Sequence, residues 1–372
     1  MIYFDNASTT RTKPKESLDA FLEYVNTIGV SPGRGSYSLG ITASRMLYQA
    51  RKTVANFFGV NDPNVVFTKN STEAINLFLQ GFLKKGDHVI ITCYEHNAVF
   101  RPLNYLKNNG IIEYSIISRE DLDEDPEYII HEYVRENTVL FATTLASNVT
   151  GRIIFNSNLI EKFKEKHIDV FLDSSQGAGK IEINMESSKI DYLAFTGHKD
   201  LMALDGVGGL CSRKALNINP LIQGGTGIHG EEYTNPKIYP EGLESGTLNM
   251  PAIWSLKASL DYLKENKTKI NKYEKELTDY LISRLKAIKK VEIYDVEYPR
   301  VSTVSINIKG FDSNQIVSIL DKNNICVRGG IHCSIVTHKA LLTESTGVVR
   351  ISMNYNNTKE EIDYLIDVIE RI

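Results

Sequence analysis

The sequence has few cysteines and no long apolar run. Its 372 residues include 4 cysteines, too few for a disulfide framework in a chain of this size, so a reducing, cytoplasmic setting is expected. Cys93 and Cys211 lie in apolar runs and are expected to be buried thiols. No uninterrupted apolar segment approaches the ~20 residues that a bilayer span requires, so no membrane partner is expected. The N-terminus lacks the basic and apolar regions of a secretory signal.

The sequence also lacks a large excess of charge of either sign. Its net charge is −4 and its pI is near 6.1, which gives no reason to expect a nucleic-acid partner. No internal repeat or low-complexity segment is present. The composition, 42% hydrophobic and 24% charged, is typical of a globular protein. The length suffices for two domains, or for one large domain with a smaller lobe.

The first half of the chain alternates between two hydrophobic patterns. Amphipathic helices are predicted at 14–25 and 41–58, and the apolar side of the first consists of Leu18, Phe21, Leu22 and Val25. Strands are then predicted at 65–68, 89–93, 111–117, 139–144 and 170–173, with helices at 71–83, 99–108, 127–136 and 159–166. The alternation indicates a mostly parallel sheet covered on both faces, which binds ligands at the carboxyl ends of its strands.

The pattern changes after a glycine-containing loop near residue 225. Helices are predicted at 250–264 and 270–288, followed by a strand at 301–308, a helix at 315–321, a strand at 348–353 and a helix at 358–371. Two helices followed by this mixed order indicate a separate C-terminal α+β lobe.

Two buried strands end in side chains of complementary chemistry. The apolar run 170–172 stops at Asp173, and the run 190–195 ends in a turn that carries Lys199. Desolvation at a strand end would lower the pKa of that lysine and free its amine to attack a carbonyl, although a surface lysine is the plainer alternative. An aspartate for the ring nitrogen and a lysine for the aldehyde are the two groups that pyridoxal phosphate requires.

Three turns carry further candidates, each with a structural alternative. Asn-Ser-Thr-Glu at 70–73 is typical of a helix N-cap, but free backbone N–H groups and a positive helix end also suit a phosphate. Glu-His-Asn at 95–97 places His96 at a strand end, where a capping role is the alternative. The segment 147–151 is by itself only a turn.

A cysteine and an arginine stand out near the C-terminus. Arg-Gly-Gly-Ile-His-Cys at 328–333 has two glycines, typical of a mobile or strained loop, and its Arg and His would stabilise the thiolate of Cys333. A loop cysteine without a role is the alternative. Arg350 lies in an otherwise apolar strand, where either a substrate α-carboxylate or a structural salt bridge would partner its guanidinium group.

These segments together resemble a known family. Asp-Ser-Ser-Gln at 173–176 and Thr-Gly-His-Lys at 196–199 are similar to the cofactor signature of the class V aminotransferases, and within them of the cysteine desulfurases. The resemblance extends from Tyr-Phe-Asp-Asn-Ala at 3–7 to Arg350, nearly the whole chain. Several short matches in the right order are more specific than any one alone.

The resemblance implies an α/β architecture of the pyridoxal-phosphate-dependent transferase fold type I. A large domain at 15–264 would hold a mostly parallel, seven-stranded sheet, and 1–14 with 265–372 would form a smaller α+β domain. The segment 244–249 resembles one that reaches the cofactor phosphate of a second subunit through Thr247. A homodimer with shared active sites is therefore implied.

The resemblance also implies a role for each candidate residue. The implied catalytic residues are Lys199, Cys333, His96 and Asp173. The implied cofactor-binding residues are Ser71, Thr72, His96, Asn148, Asp173, Gln176, Thr196, His198, Lys199 and Thr247. The implied substrate-binding residues are Arg350, Arg328 and Asn148. No metal ligand is implied.

The implied activity converts L-cysteine to L-alanine with transfer of sulfur to Cys333 as a persulfide. Lys199 would remove the Cα proton of the substrate. The sulfur would pass to a protein acceptor in sulfur metabolism, such as iron–sulfur cluster assembly. The alternatives are a selenocysteine lyase acting on L-selenocysteine, a plain pyridoxal-phosphate-dependent lyase or transaminase, and a non-catalytic binding module of the same fold.

Two segments depart from the family pattern. Lys199 is followed by Asp-Leu-Met-Ala-Leu-Asp-Gly at 200–206, where the family usually has a Gly-Pro turn. Cys333 is followed by Ser-Ile-Val at 334–336 instead of Ala-x-Pro. Neither departure removes a reactive group, but both bear on the entrance to the site, the partner surface and the preferred substrate.

Overall fold

The fold is taken from a computed structural model that describes residues 1–33 and 35–372. Its helices are α1 (Lys15–Glu23), α2 (Ser38–Phe58), α3 (Ser71–Phe82), α4 (Asn97–Asn108), α5 (Pro126–Tyr133), α6 (Ser157–Glu165), α7 (Met250–Lys286), α8 (Ser313–Lys322), α9 (Ile335–Ala340) and α10 (Lys359–Arg371). Its strands are β1 (Ile2–Tyr3), β2 (Val65–Thr68), β3 (Asp87–Thr92), β4 (Ile112–Ile117), β5 (Thr138–Thr144), β6 (Asp169–Asp173), β7 (Tyr192–Thr196), β8 (Gly208–Ser212), β9 (Val291–Ile293), β10 (Thr303–Ile308), β11 (Ile325–Cys326), β12 (Arg328–Gly330) and β13 (Val348–Ser352).

The central sheet has seven strands in the order β2-β8-β7-β6-β5-β3-β4. Strand β8 runs antiparallel to both of its neighbours, and the other pairs are parallel. This sheet confirms the predicted α/β fold.

Cys211 is buried in β8 and Cys93 is buried directly after β3, as expected for both thiols.

Each face of this sheet is covered by its own hydrophobic core. Phe171 of β6 stacks on Phe78 of α3 with ring centroids 4.8 Å apart, whereas Phe195 of β7 packs against Phe58 of α2 at 5.3 Å. These pairs belong to separate clusters of buried side chains. Because both faces are covered, the strands are apolar along most of their length, and polar side chains lie at their ends.

The C-terminal part contains a second, smaller sheet. Strands β12-β13-β10-β9 form an antiparallel sheet whose side chains pack with α8 and α10 in a third core. Strand β1 pairs in parallel with β11, and Phe4 joins the same core. The division of the chain into domains at residue 265 stays a prediction.

No helix of the described residues has the length and apolarity to cross a membrane.

One predicted break in the secondary structure is wrong. The helices predicted at 250–264 and 270–288 are a single helix, α7, of 37 residues. The connecting residues 265–269, Glu-Asn-Lys-Thr-Lys, are polar but include no glycine or proline. Polarity there marks turns that face solvent, and it does not interrupt backbone hydrogen bonding.

The predicted apolar side of α1 faces outward in the single chain. Leu18, Leu22 and Val25 are 42%, 53% and 47% exposed, whereas Ser17 and Ala20 are buried. A helix is thus confirmed at 15–23, and three of the four side chains predicted for its apolar side are exposed in the single chain. The small residues allow α1 to pack closely along α7, which leaves the larger apolar side chains on the surface.

A buried ionic cluster joins Lys180 to the turn after Lys199 and to α7. The Lys180 ammonium lies 3.0 Å from Asp200 Oδ1 and 2.9 Å from Glu274 Oε2, and it donates to Ser302 Oγ at 2.6 Å. Burial lowers the pKa of Lys180, but the two carboxylates outweigh burial and raise it. Asp200 directly follows Lys199, so the first departure from the family pattern supplies half of this cluster's negative charge.

We predict that Lys180→Met destabilises the fold by about 3–5 kcal/mol, because it leaves the carboxylates of Asp200 and Glu274 buried without a cation. The measurement is the thermal unfolding midpoint, which should fall by several degrees. Lys15→Met is the matched control, since Lys15 pairs with Asp19 on the fully exposed surface of α1 and its loss should leave the midpoint unchanged. Equal midpoints for the two variants would contradict the prediction.

Candidate active site

Asp173 and Lys199 lie at the same edge of the central sheet, as the sequence predicts. Asp173 is the last residue of β6, and β7 ends at Thr196, just before the turn that carries Lys199. The two strands are parallel neighbours, with Asp173 opposite Ala194. Burial lowers the pKa of Lys199, and the attraction of Asp173 offsets this only in part. The lysine amine therefore has a larger neutral, nucleophilic fraction than a surface lysine.

The Asp173 carboxylate is held by the turn that follows it. It is 2% exposed, and its Oδ1 accepts hydrogen bonds from the backbone N–H of Ser175 at 3.0 Å and from Ser175 Oγ at 2.5 Å. Gln176 Nε2 donates to the carbonyl oxygen of Ala7 at 2.7 Å. The turn at 174–176 is thereby fixed both to the Asp173 carboxylate and to the N-terminal segment at Ala7.

The turn at 70–73 is an N-cap, as predicted, but the capping group is the Asn70 side chain and not the predicted Ser or Thr hydroxyl. Asn70 Oδ1 accepts a hydrogen bond from the Glu73 N–H at 3.0 Å, and Ser71 is the first residue of α3. The backbone N–H groups that remain at this helix end suit an anion.

His96 lines a groove of about 400 Å³ together with Thr72 and Cys333. Its Nδ1 accepts a hydrogen bond from the Ala98 N–H at 3.0 Å, so His96 also caps α4. Burial, followed by the charge of Lys199, lowers the pKa of His96 to about 4. The ring is therefore neutral at pH 7, and it lies within electrostatic reach of the lysine.

Thr196 and His198 present polar atoms that lack protein partners. Thr196 Oγ1 is buried and has no hydrogen-bond partner among the described residues. His198 Nδ1 lies 3.1 Å from Asp205 Oδ1 without hydrogen-bonding geometry, and burial lowers the pKa of His198 to about 4. Both side chains therefore have hydrogen-bonding capacity left for a ligand.

Thr247 lies apart from the other predicted residues. It is exposed in a groove of about 300 Å³ whose described lining includes none of them. The segment is anchored at its start, where the Glu244 carboxylate accepts hydrogen bonds of 2.7 and 2.9 Å from Arg51. The fold of one chain therefore does not bring Thr247 to Lys199.

Asn148 joins the loop before Cys333 to Arg350. Its Nδ2 donates to the carbonyl oxygen of His332 at 2.6 Å, and its own carbonyl oxygen accepts from Arg350 Nη1 at 2.9 Å. Its Oδ1 is buried with no partner in the part of the chain that the structure describes. That amide oxygen is a second open acceptor at this edge of the sheet.

Arg350 is 1% exposed and is paired within the chain. Its Nη2 donates to Asp5 Oδ1 and to Ser8 Oγ, both at 2.7 Å, so the structural salt bridge weighed as an alternative is present. Its Nε is buried without a partner within residues 1–33 and 35–372, which leaves a donor for a ligand. Asp5 and Ser8 were not predicted as site residues, and the one signal was the position of Asp5 in the family-like segment 3–7.

Cys333 is exposed at the end of a strained loop. His332 and Cys333 have φ values of 52° and 57°, in the left-handed region that side chains rarely adopt. Arg328 Nη2 lies 3.5 Å from Cys333 Sγ. The prediction of a strained loop with Arg328 beside the thiol is confirmed. The prediction that His332 adds positive charge is wrong, because burial holds the pKa of His332 well below its ordinary value and leaves the ring neutral.

Ser334 and Asn97 hold this loop against the segment before α4. Ser334 Oγ donates to the carbonyl oxygen of Glu95 at 2.7 Å, and the Asn97 N–H donates to the carbonyl oxygen of Cys333 at 2.8 Å. Glu95 is buried, and burial raises its pKa to about 8. The serine that departs from the family pattern thus has a definite role in fixing the loop.

The arrangement combines binding and reactive groups. Lys199 lies within electrostatic reach of Asp173, Arg350 and Arg328. A nucleophilic amine, a carboxylate, two guanidinium groups and the thiol of Cys333 can bind an amino acid by its carboxylate and react with it. No cluster of three His, Cys, Asp or Glu side chains suited to a metal ion occurs in the described ranges.

The chain is similar to known proteins over its whole length. The chain is 34% identical to a probable cysteine desulfurase of Methanothermobacter thermautotrophicus, over 100% of this chain and 94% of that protein. It is 31% identical to a probable cysteine desulfurase of Pyrococcus abyssi, with the same coverage. The apo structure of the cysteine desulfurase from Thermococcus onnurineus NA1 matches with a TM-score of 0.91 and 29% identity, over 100% of this chain and 94% of that one.

The family itself follows from a match to nearly the whole chain. The sequence pattern of the family described as "Aminotransferase class-V" matches residues 2–365. This range includes the strand ends, the cysteine loop and Arg350. The chain therefore belongs to the class V aminotransferase family.

Proposed function

We propose that the chain is a pyridoxal-phosphate-dependent cysteine desulfurase, which converts L-cysteine to L-alanine and carries the sulfur away as a persulfide on Cys333. The observation that carries the proposal is the meeting of Lys199 and Asp173 at one edge of the central sheet, with Arg350 of β13 within electrostatic reach of the lysine. Arg328 lies against the thiol of Cys333. Relatives named cysteine desulfurases over the full chain length support it.

Pyridoxal phosphate fits the polar atoms that the chain leaves open. Thr196 Oγ1 and Asn148 Oδ1 are buried acceptors without partners in the described chain, and His198 has a free ring nitrogen. In the proposal the phosphate is held by Ser71, Thr72, Thr196 and His198, with Thr247 from a second subunit. Asp173, His96, Asn148 and Gln176 hold the ring, and Lys199 binds the aldehyde. When bound, the cofactor withdraws electrons from the substrate Cα.

The chain's own residues then act on the bound amino acid. Arg350, through its Nε, and Asn148, through the second N–H of its Nδ2, bind the α-carboxylate, while the Lys199 amine takes the Cα proton. The Cys333 thiolate attacks the substrate sulfur, so that an S–S bond forms and the Cβ–S bond breaks. The electron pair of the broken bond goes to Cβ, which gains a proton and becomes the methyl group of L-alanine, and the Lys199 ammonium returns a proton to Cα. Cys333 is exposed, so the persulfide is accessible to a protein acceptor.

We predict that Cys333→Ala abolishes conversion of L-cysteine to L-alanine, because no other thiol lies in the groove with His96. The measurement is alanine formation, together with the mass of intact protein after incubation with L-cysteine. The parent should gain one sulfur atom and the variant none. Cys326→Ser is the control, since Cys326 lies half-buried in β11 and should be dispensable.

Three results would revise this assignment. Parental turnover of L-cysteine by Cys333→Ala would show that the nucleophile is wrong. Retained turnover of L-selenocysteine, with L-cysteine turnover lost, would favour a selenocysteine lyase. Stoichiometric pyruvate and ammonia without a persulfide would favour a plain lyase.

We predict that Lys199→Ala removes the visible absorption that a lysine-bound cofactor gives the purified protein. Turnover should fall by about 10²–10⁴-fold or more, because the same amine moves the Cα proton. Lys189→Ala, on an exposed surface where Lys189 pairs with Glu161, is the control and should keep the parental spectrum. An unchanged spectrum in Lys199→Ala would refute the assignment of this lysine.

A homodimer with shared sites is also proposed. Five apolar side chains are 42–53% exposed in the single chain: Leu18 and Leu22 of α1, Val25 just after it, and Leu39 and Ile41 of α2. Burying such side chains is favourable, and a second copy is the natural cover if Thr247 serves the partner's site.

We predict that activity is restored when Lys199→Ala and Thr247→Val protomers are co-expressed as a heterodimer. One of its two sites then combines an intact Lys199 with an intact Thr247 from the other protomer. Each variant homodimer lacks one of the two groups in both sites. The measurement compares alanine formation by differently tagged heterodimers, expected near half the parental rate, with that of each homodimer. No gain over the Thr247→Val homodimer would contradict a shared site.

A further inference from the structure

The hydroxyl group of Ser8 is hydrogen-bonded on every side. It donates to Asp5 Oδ1 at 2.8 Å, and it accepts from Arg350 Nη2 at 2.7 Å and from Arg328 Nη1 at 3.2 Å. A serine hydroxyl has one hydrogen and two lone pairs, so these contacts use its full capacity. Its orientation is therefore determined by the three charged groups around it.

The two arginines that meet at Ser8 would otherwise repel each other. Arg328 and Arg350 are directly opposed on the antiparallel strands β12 and β13. Opposed residues project to the same face of a sheet, and like charges in such a pair are unfavourable. Burial lowers the pKa of Arg350, Asp5 raises it, and Arg328 lowers it again. The Ser8 oxygen lies between the two guanidinium groups and accepts a hydrogen bond from each.

We propose that Ser8 is a positioning residue that holds Arg350 toward the substrate carboxylate and Arg328 toward the sulfur of Cys333. The Arg350 half of this inference rests on the proposed function. With Nη1 held by Asn148 and Nη2 by Asp5 and Ser8, the Arg350 Nε keeps one orientation, and it has no hydrogen-bond partner among the described residues. The Ser8 hydroxyl thus couples Arg350 to Arg328, which lies beside Cys333.

Removing the hydroxyl should affect both arginines. In Ser8→Ala, Arg328 Nη1 loses its acceptor and Arg350 Nη2 keeps only Asp5. The two hydrogen bonds that oppose repulsion between the guanidinium groups are then both lost. The KM for L-cysteine should rise about tenfold, the effect typical of losing a hydrogen bond to a charged group. Alkylation of Cys333 by iodoacetamide without substrate should slow about threefold, because a cation near the thiolate is displaced.

The test uses the full-length holoenzyme and three comparison variants. Ser8→Thr keeps a hydroxyl and should restore both values to within about twofold of the parent, which a merely steric role would not predict. Ser187→Ala removes an exposed hydroxyl that contacts only the Asn184 carbonyl, and it should change neither value. In an Arg328→Ala background, Ser8→Ala should cause no further slowing of alkylation, because the Arg328 guanidinium that Ser8 positions is already absent.

The outcomes separate this inference from the proposed function. Values within twofold of the parent for Ser8→Ala, or equal losses in Ser8→Ala and Ser8→Thr, would overturn the positioning role. Additive slowing in the Arg328→Ala background would overturn the coupling. A chain that turns over no L-cysteine would refute the proposed function, and the alkylation measurements would still decide the role of Ser8 toward Arg328, since they need no turnover.

Discussion

The parallel pairing of β6 with β7 is the constraint on which the site depends. Both strands are covered on both faces, so polar side chains are tolerated only where the strands end. The register sets Asp173 opposite Ala194, which places the carboxylate beside the turn that carries Lys199. A slip of one residue would direct the Asp173 side chain to the opposite face. Packing in two separate cores thus determines where the reactive groups lie.

A short N-terminal segment, residues 5–10, joins this edge to the C-terminal lobe. Thr10 Oγ1 donates to the carbonyl oxygen of Lys199 at 2.8 Å, and the Asp5 carboxylate accepts from Arg350 Nη2 at 2.7 Å. The lysine turn and Arg350 of β13 are therefore attached to one stretch of backbone.

The sequence predicts those features that are local. An apolar run that stops at Asp173 marks the end of β6, and Asn70 marks the start of α3, because burial and capping act on neighbouring residues. The unbroken course of α7 was missed because polar residues at 265–269 resemble a loop while permitting a helix. The contacts of Asp5 and Ser8 with Arg350 leave no local pattern, since hydrogen bonds between distant residues form only after folding.

Both departures from the family pattern follow a reactive side chain, and both form buried hydrogen bonds. The Asp200 carboxylate accepts from the Gly177 N–H at 2.8 Å, and Ser334 Oγ donates to a carbonyl oxygen before α4 at 2.7 Å. Loss of such a bond leaves a buried polar group unsatisfied, so each holds its backbone more firmly than an apolar side chain would. Asp200 and Ser334 therefore anchor the backbone directly beside Lys199 and Cys333.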